Sequence, residues 1–139
     1  MRRLILLAAA LALSACGGSD KDPGLAPAAP DTAANFNQPL DARGADPAWG
    51  LTIRGLQFTL QRPNQPDLVG AAPGAVIDAH SASWTATLAD KQTMRVSLYA
   101  SPCKDRATGL VYPFSAEVQL PSGPLTGCAG KAGASAAKR

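Results

Sequence analysis

The 139-residue chain is short of the residues that most catalytic chemistry uses. It holds one histidine, His80. A metal centre needs three or four ligands, so the ligand set is thin and no metal is implied. His80-Ser81 are adjacent, but no Gly-x-Ser-x-Gly elbow carries a nucleophile, and a base beside a lone serine is common by chance. No Gly-rich phosphate loop follows a strand, which argues against a nucleotide. Between 46 and 130 the acids are Asp46, Asp67, Asp78, Asp90, Asp105 and Glu117. Most sit at turns, so a carboxylate pair for glycoside cleavage has few candidates. The length allows one domain and is too small for most cofactor-binding α/β enzymes. No cofactor is implied, and an enzyme is the weaker reading. There is also no long apolar run: Leu4–Leu13 falls well short of the roughly 20 residues that span a bilayer as a helix.

What is present begins at the amino terminus. Met1-Arg2-Arg3 is a positive start, Leu4–Leu13 is unbroken Leu, Ile and Ala, and Ser14-Ala15 are small. These are the parts of a secretory signal peptide. Leu13-Ser14-Ala15-Cys16 further resembles a lipobox, the signal that directs a bacterial lipoprotein to be diacylated on cysteine and cut just before it. The resemblance implies that residues 1–15 are removed and that Cys16, carrying acyl chains such as palmitate, anchors the chain to a membrane. Two or more chains give stable attachment where one gives only marginal binding. No Asp directly follows Cys16, which resembles outer-membrane sorting, with the domain facing the periplasm.

Lipidation of Cys16 leaves an even pair, Cys103 and Cys128, in an oxidising compartment. A redox pair usually sits two residues apart with a lowered pKa, and these lie far apart in sequence. A structural disulfide is therefore the better reading than redox or metal work. Charge divides by region in the same way. Without Arg2 and Arg3 the chain has 11 basic against 10 acidic residues, and region 46–130 has six of each. The basic surplus belongs to the leader and to the tail, with Lys131, Lys138 and Arg139. It speaks for export, not for nucleic acid.

Residues 16–45 read as the lipidated cysteine and a Gly-, Pro- and Ala-rich disordered tether, with a reach of about 30 Å. Residues 131–139 read as a disordered basic tail. Between them, 46–130 alternates. Trp49, Leu51 and Ile53 share one parity, as do Leu56, Phe58 and Leu60. So do Trp84, Ala86 and Leu88; Met94, Val96 and Leu98; and Phe114, Ala116, Val118 and Leu120. Period two marks half-buried strands. Leu125–Cys128 adds a short sixth strand and Val76-Ile77 a possible seventh. The Pro- and Gly-containing stretch 62–81 is read as excluding a central strand. The expectation is an all-β domain, a small antiparallel barrel or strongly curved sheet of five to seven strands with one disulfide.

Three blocks in this region resemble a family of bacterial envelope lipoproteins of uncharacterised activity. Gly44-Ala45-Asp46-Pro47-Ala48-Trp49 is similar to a Gly-x-acid-Pro-x-Trp opening. Cys103-Lys104-Asp105 with Thr108, Tyr112 and Pro113 is similar to Cys-x-Asp-x-x-Ser/Thr-x-x-x-Tyr-Pro. Gly127-Cys128-Ala129 is similar to a Gly-Cys-Ala closing. Ala48 departs from a position that is usually aromatic, and Arg106 and Ala107 from positions where Gly and Met are common. The resemblance implies a secreted β domain with a disulfide and implies no reaction.

Asp105 reads first as an acceptor for its own loop backbone, with a ligand contact as the sharper alternative. Tyr112-Pro113 fixes the start of the fifth strand, with Tyr112 packed against the disulfide. Trp49 and Trp84 fall on their strands' apolar parity and read as core before ligand platforms. The sequence thus leads to a lipid-anchored periplasmic domain that binds or scaffolds an envelope component. An envelope protein, peptidoglycan and a small apolar ligand are the candidates. The alternative is a small enzyme or inhibitor acting on cell-wall polymers.

Overall fold

The computed structural model describes residues 36–133. The leader 1–15, Cys16, residues 17–35 of the tether and residues 134–139 of the tail lie outside the described residues. Alternation decides the wall. Strands β1 (Leu40–Ala45), β2 (Ala48–Arg54), β3 (Gln57–Gln61) and β4 (Leu68–Ala71) form an antiparallel meander. The short β5 (Ala75–Ile77) precedes the long hairpin β6 (Ser81–Leu88) and β7 (Thr93–Tyr99). A ribbon of β8 (Cys103–Lys104) and β9 (Val111–Tyr112) leads into β10 (Phe114–Leu120) and β11 (Gly123–Lys131).

The sheet closes. In the order β4-β3-β2-β1-β11-β10-β7-β6, its last member pairs back onto its first through Gly70↔Leu88 and Ala71↔Thr87. The result is an eight-strand antiparallel barrel, and β5 takes up the same edge of β6 where β4 leaves it. Eight strands leave an interior just wide enough for side chains to fill. Leu40, Leu51, Ile53, Phe58, Leu60, Met94, Val96, Leu98 and Val118 fill it, each buried to within 2%. Phe58 and Trp84 meet edge to face at 5.9 Å, a favoured aromatic geometry. The opposite parity of β6, β7 and β10 carries Ser83, Thr85, Thr87, Thr93, Arg95, Ser97, Glu117 and Gln119 to the outside. Apolar inside and polar outside is the reverse of a membrane-spanning barrel, whose lipid-facing band is apolar.

Four expectations are corrected. Five to seven strands becomes eight in the barrel wall, because β1 and β4 join it. β1 also lies inside the interval assigned to the tether: the fold has begun by Phe36, whose ring is buried and packs on Phe114 at 4.9 Å. At the other end Lys131 belongs to β11 and pairs with Leu40, not to a tail. β4 arises within the stretch read as excluding a central strand, since its flanking prolines, Pro66 and Pro73, fall outside the four residues that pair, and the short strand expected at Val76-Ile77 is β5.

Candidate functional site

Glycines set the geometry of the β1–β2 hairpin. Gly44 pairs with Trp49 across it, and a Cβ at Gly44 would run into the Trp49 indole. A Cβ at Gly127 would run into the Arg43 carbonyl and the far edge of the same indole. The two glycines therefore make room for Trp49, whose Nε1 donates to the Thr126 carbonyl at 3.2 Å. Trp49 is buried. A buried indole N–H ordinarily finds such a partner.

The disulfide acts on the outside. Cys128 pairs with Arg43 and Ser115 on outward parity. Its bond to Cys103, Cα–Cα 5.4 Å, draws the β8–β9 ribbon down over β11. Tyr112 lies opposite Cys103 in the ribbon. A Cβ on Gly130 would stand 3.3 Å from the Tyr112 ring, so the tyrosine covers a glycine of the barrel wall beside the disulfide.

Asp105 organises the loop between β8 and β9. It is 5% exposed. Its carboxylate accepts from Thr108 Oγ1 at 2.7 Å and from the Ala107 N–H at 3.2 Å. Its backbone N–H donates to Leu110 O, and its carbonyl accepts from the Gly109 N–H, both at 2.8 Å. Burying a carboxylate requires such partners, and the loop supplies them.

Between this loop and the hairpin runs an open groove of about 940 Å³. Its floor is the outer face of β1 and β2, and its far rim is Gln61, Arg62 and Pro63 where β3 ends. Arg43 lines it from β1 and donates to the Tyr112 hydroxyl at 3.3 Å. The Tyr112 hydroxyl, with the Asp105 charge acting more weakly, raises the Arg43 guanidinium above its ordinary pKa, and an arginine is in any case always a cation. Arg62 and Lys131 add two further cations to the lining. The Arg62 Nε is buried and meets no acceptor among the described residues. Of the two carboxylates on the groove, Asp105 is engaged by its loop, and Asp41 pairs with Arg54 at 2.8 Å. The groove is therefore cationic on balance, and neither carboxylate is set up as a catalytic acid or base.

Gly50 sits in the middle of this floor. It pairs with Arg43 on one side and Gln61 on the other. Its backbone is not in the positive-φ region, and a Cβ there would meet nothing within 4 Å. Of the residues singled out from sequence, Asp105, Tyr112 and Trp49 line the groove. Cys103 and Cys128 fasten its wall. Trp84 does not reach it and is core. His80 lies in a turn in which Asp78 takes the Ser81 hydroxyl directly at 2.8 Å and the His80 and Ser81 backbone N–H groups. This is a turn-capping carboxylate, with no imidazole between acid and serine. Sequence reasoning missed Arg43, Gly50, Arg62 and Lys131. The available signal was a glycine at outward parity between Trp49 and Leu51.

Fold and site together define a small disulfide-stapled antiparallel barrel with a filled interior and a cationic groove on its outer wall. Comparison of the chain with family models, with curated proteins and with solved structures finds no match.

Proposed function

We propose that this protein is a lipid-anchored binding module of the bacterial cell envelope, held to the membrane through Cys16 and engaging an envelope component through the outer groove. One contrast carries the reading. The barrel interior is occupied by its own side chains, while the outer wall keeps a groove open beside a loop that a disulfide holds in place. Binding residues favour loops set on rigid scaffolds, and concave surfaces with a few convergent polar groups favour ligands. A small apolar ligand would need the space that Phe58, Trp84 and Met94 fill, so the reading turns to a partner met at the surface. Hydrolysis of a cell-wall polymer would need two working carboxylates, and both in the groove are engaged.

The test is photo-crosslinking in intact cells. A crosslinking residue at Ala48, exposed on the groove, should capture a discrete partner. The same residue at Thr85, exposed on β6 away from the groove, should not. Equal labelling from both positions, or none from Ala48, would overturn the assignment of the groove. The anchor is tested separately: Cys16→Ala should move the protein out of the membrane fraction, and continued membrane association would remove the lipid anchor.

A further inference from the structure

Among the described residues, the strand glycines with ordinary φ are Gly44, Gly50, Gly70, Gly127 and Gly130, and all but Gly50 face an atom that excludes or crowds a side chain. Gly44 and Gly127 accommodate Trp49, Gly70 lies against Leu88 and the Thr87 carbonyl, and Gly130 lies under Tyr112. Gly50 has no such neighbour. A mid-strand glycine weakens its strand by about 0.5–1 kcal/mol relative to alanine. Pairing runs unbroken through Gly50 on both sides, so no bulge accounts for it, and of the remaining uses of a strand glycine the close approach of a ligand or another chain is the one that the groove above it suits.

The groups around Gly50 say what kind of chain. Arg43 lies opposite it in register, oriented by the Tyr112 hydroxyl. Arg62 lines the far rim, where the outer edge of its guanidinium is the part a ligand in the groove would meet. A guanidinium pairs with a planar carboxylate through two parallel hydrogen bonds. Thr52, Gln61 and Thr108 also line the groove and offer hydrogen bonds of the kind an amide backbone uses. Three cations spread along a groove between two engaged carboxylates suit a ligand with a single planar carboxylate better than a densely charged phosphate surface.

Resting on the assignment of the groove as a partner surface, we propose that it seats an extended peptide of the cell wall that bears a free carboxylate, with the peptide backbone over Gly50 and the carboxylate between Arg43 and Arg62. The glycine supplies the clearance and the two arginines supply the charge.

Cosedimentation of the full-length protein with purified cell-wall sacculi tests this. The natural protein should cosediment, and sacculi whose carboxylates have been converted to methylamides should retain about tenfold less. Gly50→Val should lose retention by a similar factor while its urea midpoint stays equal or rises. Arg43→Gln should lose retention without unfolding. Vesicles rich in phosphatidylglycerol should bind no better than neutral ones. The proposal is overturned by equal binding to amidated sacculi, by full retention of Gly50→Val, or by binding that tracks anionic vesicles instead. If Ala48 captures a partner in cells while sacculi do not bind, the groove stands as a partner surface and the carboxylate peptide is wrong. If neither occurs, the groove itself is wrong.

Discussion

Gly44 and Gly50 lie on one hairpin, yet they answer to different demands. Gly44 points into the barrel, where the Trp49 indole has taken the space a side chain would use. Gly50 points out of it, where the space is empty. The difference separates what the fold needs from what it merely tolerates. An inward glycine is explained by its neighbours. An outward glycine on an ordinary strand backbone leaves a cost in propensity that no contact within the chain offsets, and the account assigns that cost to binding.

The first way to sharpen this contrast is to release the wall of the groove while sparing the barrel. Replacing Cys103 and Cys128 together by serine removes a loop closure worth about 3–4 kcal/mol in the chain-entropy model. Urea unfolding should show a loss of that order, and the β-type circular dichroism should persist at low denaturant. Crosslinking from Ala48 should fall as the β8–β9 ribbon leaves the groove. Intact-mass analysis of the natural protein should find no alkylatable thiol at either cysteine. Next in size, Gly127→Ala should destabilise by roughly 1–3 kcal/mol, because its Cβ meets a backbone carbonyl that cannot swing aside. Smaller, and of opposite sign, Gly50→Ala should gain about 0.5–1 kcal/mol. A destabilised Gly50→Ala, or an indifferent Gly127→Ala, would break the distinction between the two kinds of glycine.

The smallest effect concerns the turn before β6. The backbone N–H of His80, and with it the hydroxyl and N–H of Ser81, hold the Asp78 carboxyl below its ordinary pKa. A carboxylate lowered on folding contributes stability that is fully present above its unfolded pKa and is lost as pH falls through the lowered value. Carbon-detected titration of Asp78 should therefore place its midpoint below that of an unperturbed aspartate. In Ser81→Ala the midpoint should move back toward the ordinary value.

How much of this was legible in the sequence depends on the residue. β2, β3, β6, β7 and β10 follow from strict alternation, because each sends large apolar side chains to one side, while β11 was read only as a short strand at Leu125–Cys128, since its inward positions include Gly127 and Ala129. β1 was not legible, since its inward positions are Leu40, Ala42 and Gly44, too small to stand out from an Ala- and Gly-rich stretch. β4 reads Leu68-Val69-Gly70-Ala71, without alternation and between two prolines, and only pairing with β3 and β6 makes it a strand. The disulfide followed from counting cysteines, and the loop role of Asp105 from its place before a turn. The groove was beyond reach because it gathers residues from β1, β2, the end of β3, the β8–β9 loop and β11. Barrel closure and register bring these together, and no local motif encodes either.

The central claim is that the outer groove is kept open for a partner at a cost to the fold. It is tested most directly by measuring urea stability and in-cell crosslinking from Ala48 on the same Gly50→Val variant. The account predicts a protein at least as stable as the natural one that no longer captures its partner. A Gly50→Val protein that is less stable, or that crosslinks as before, would contradict it.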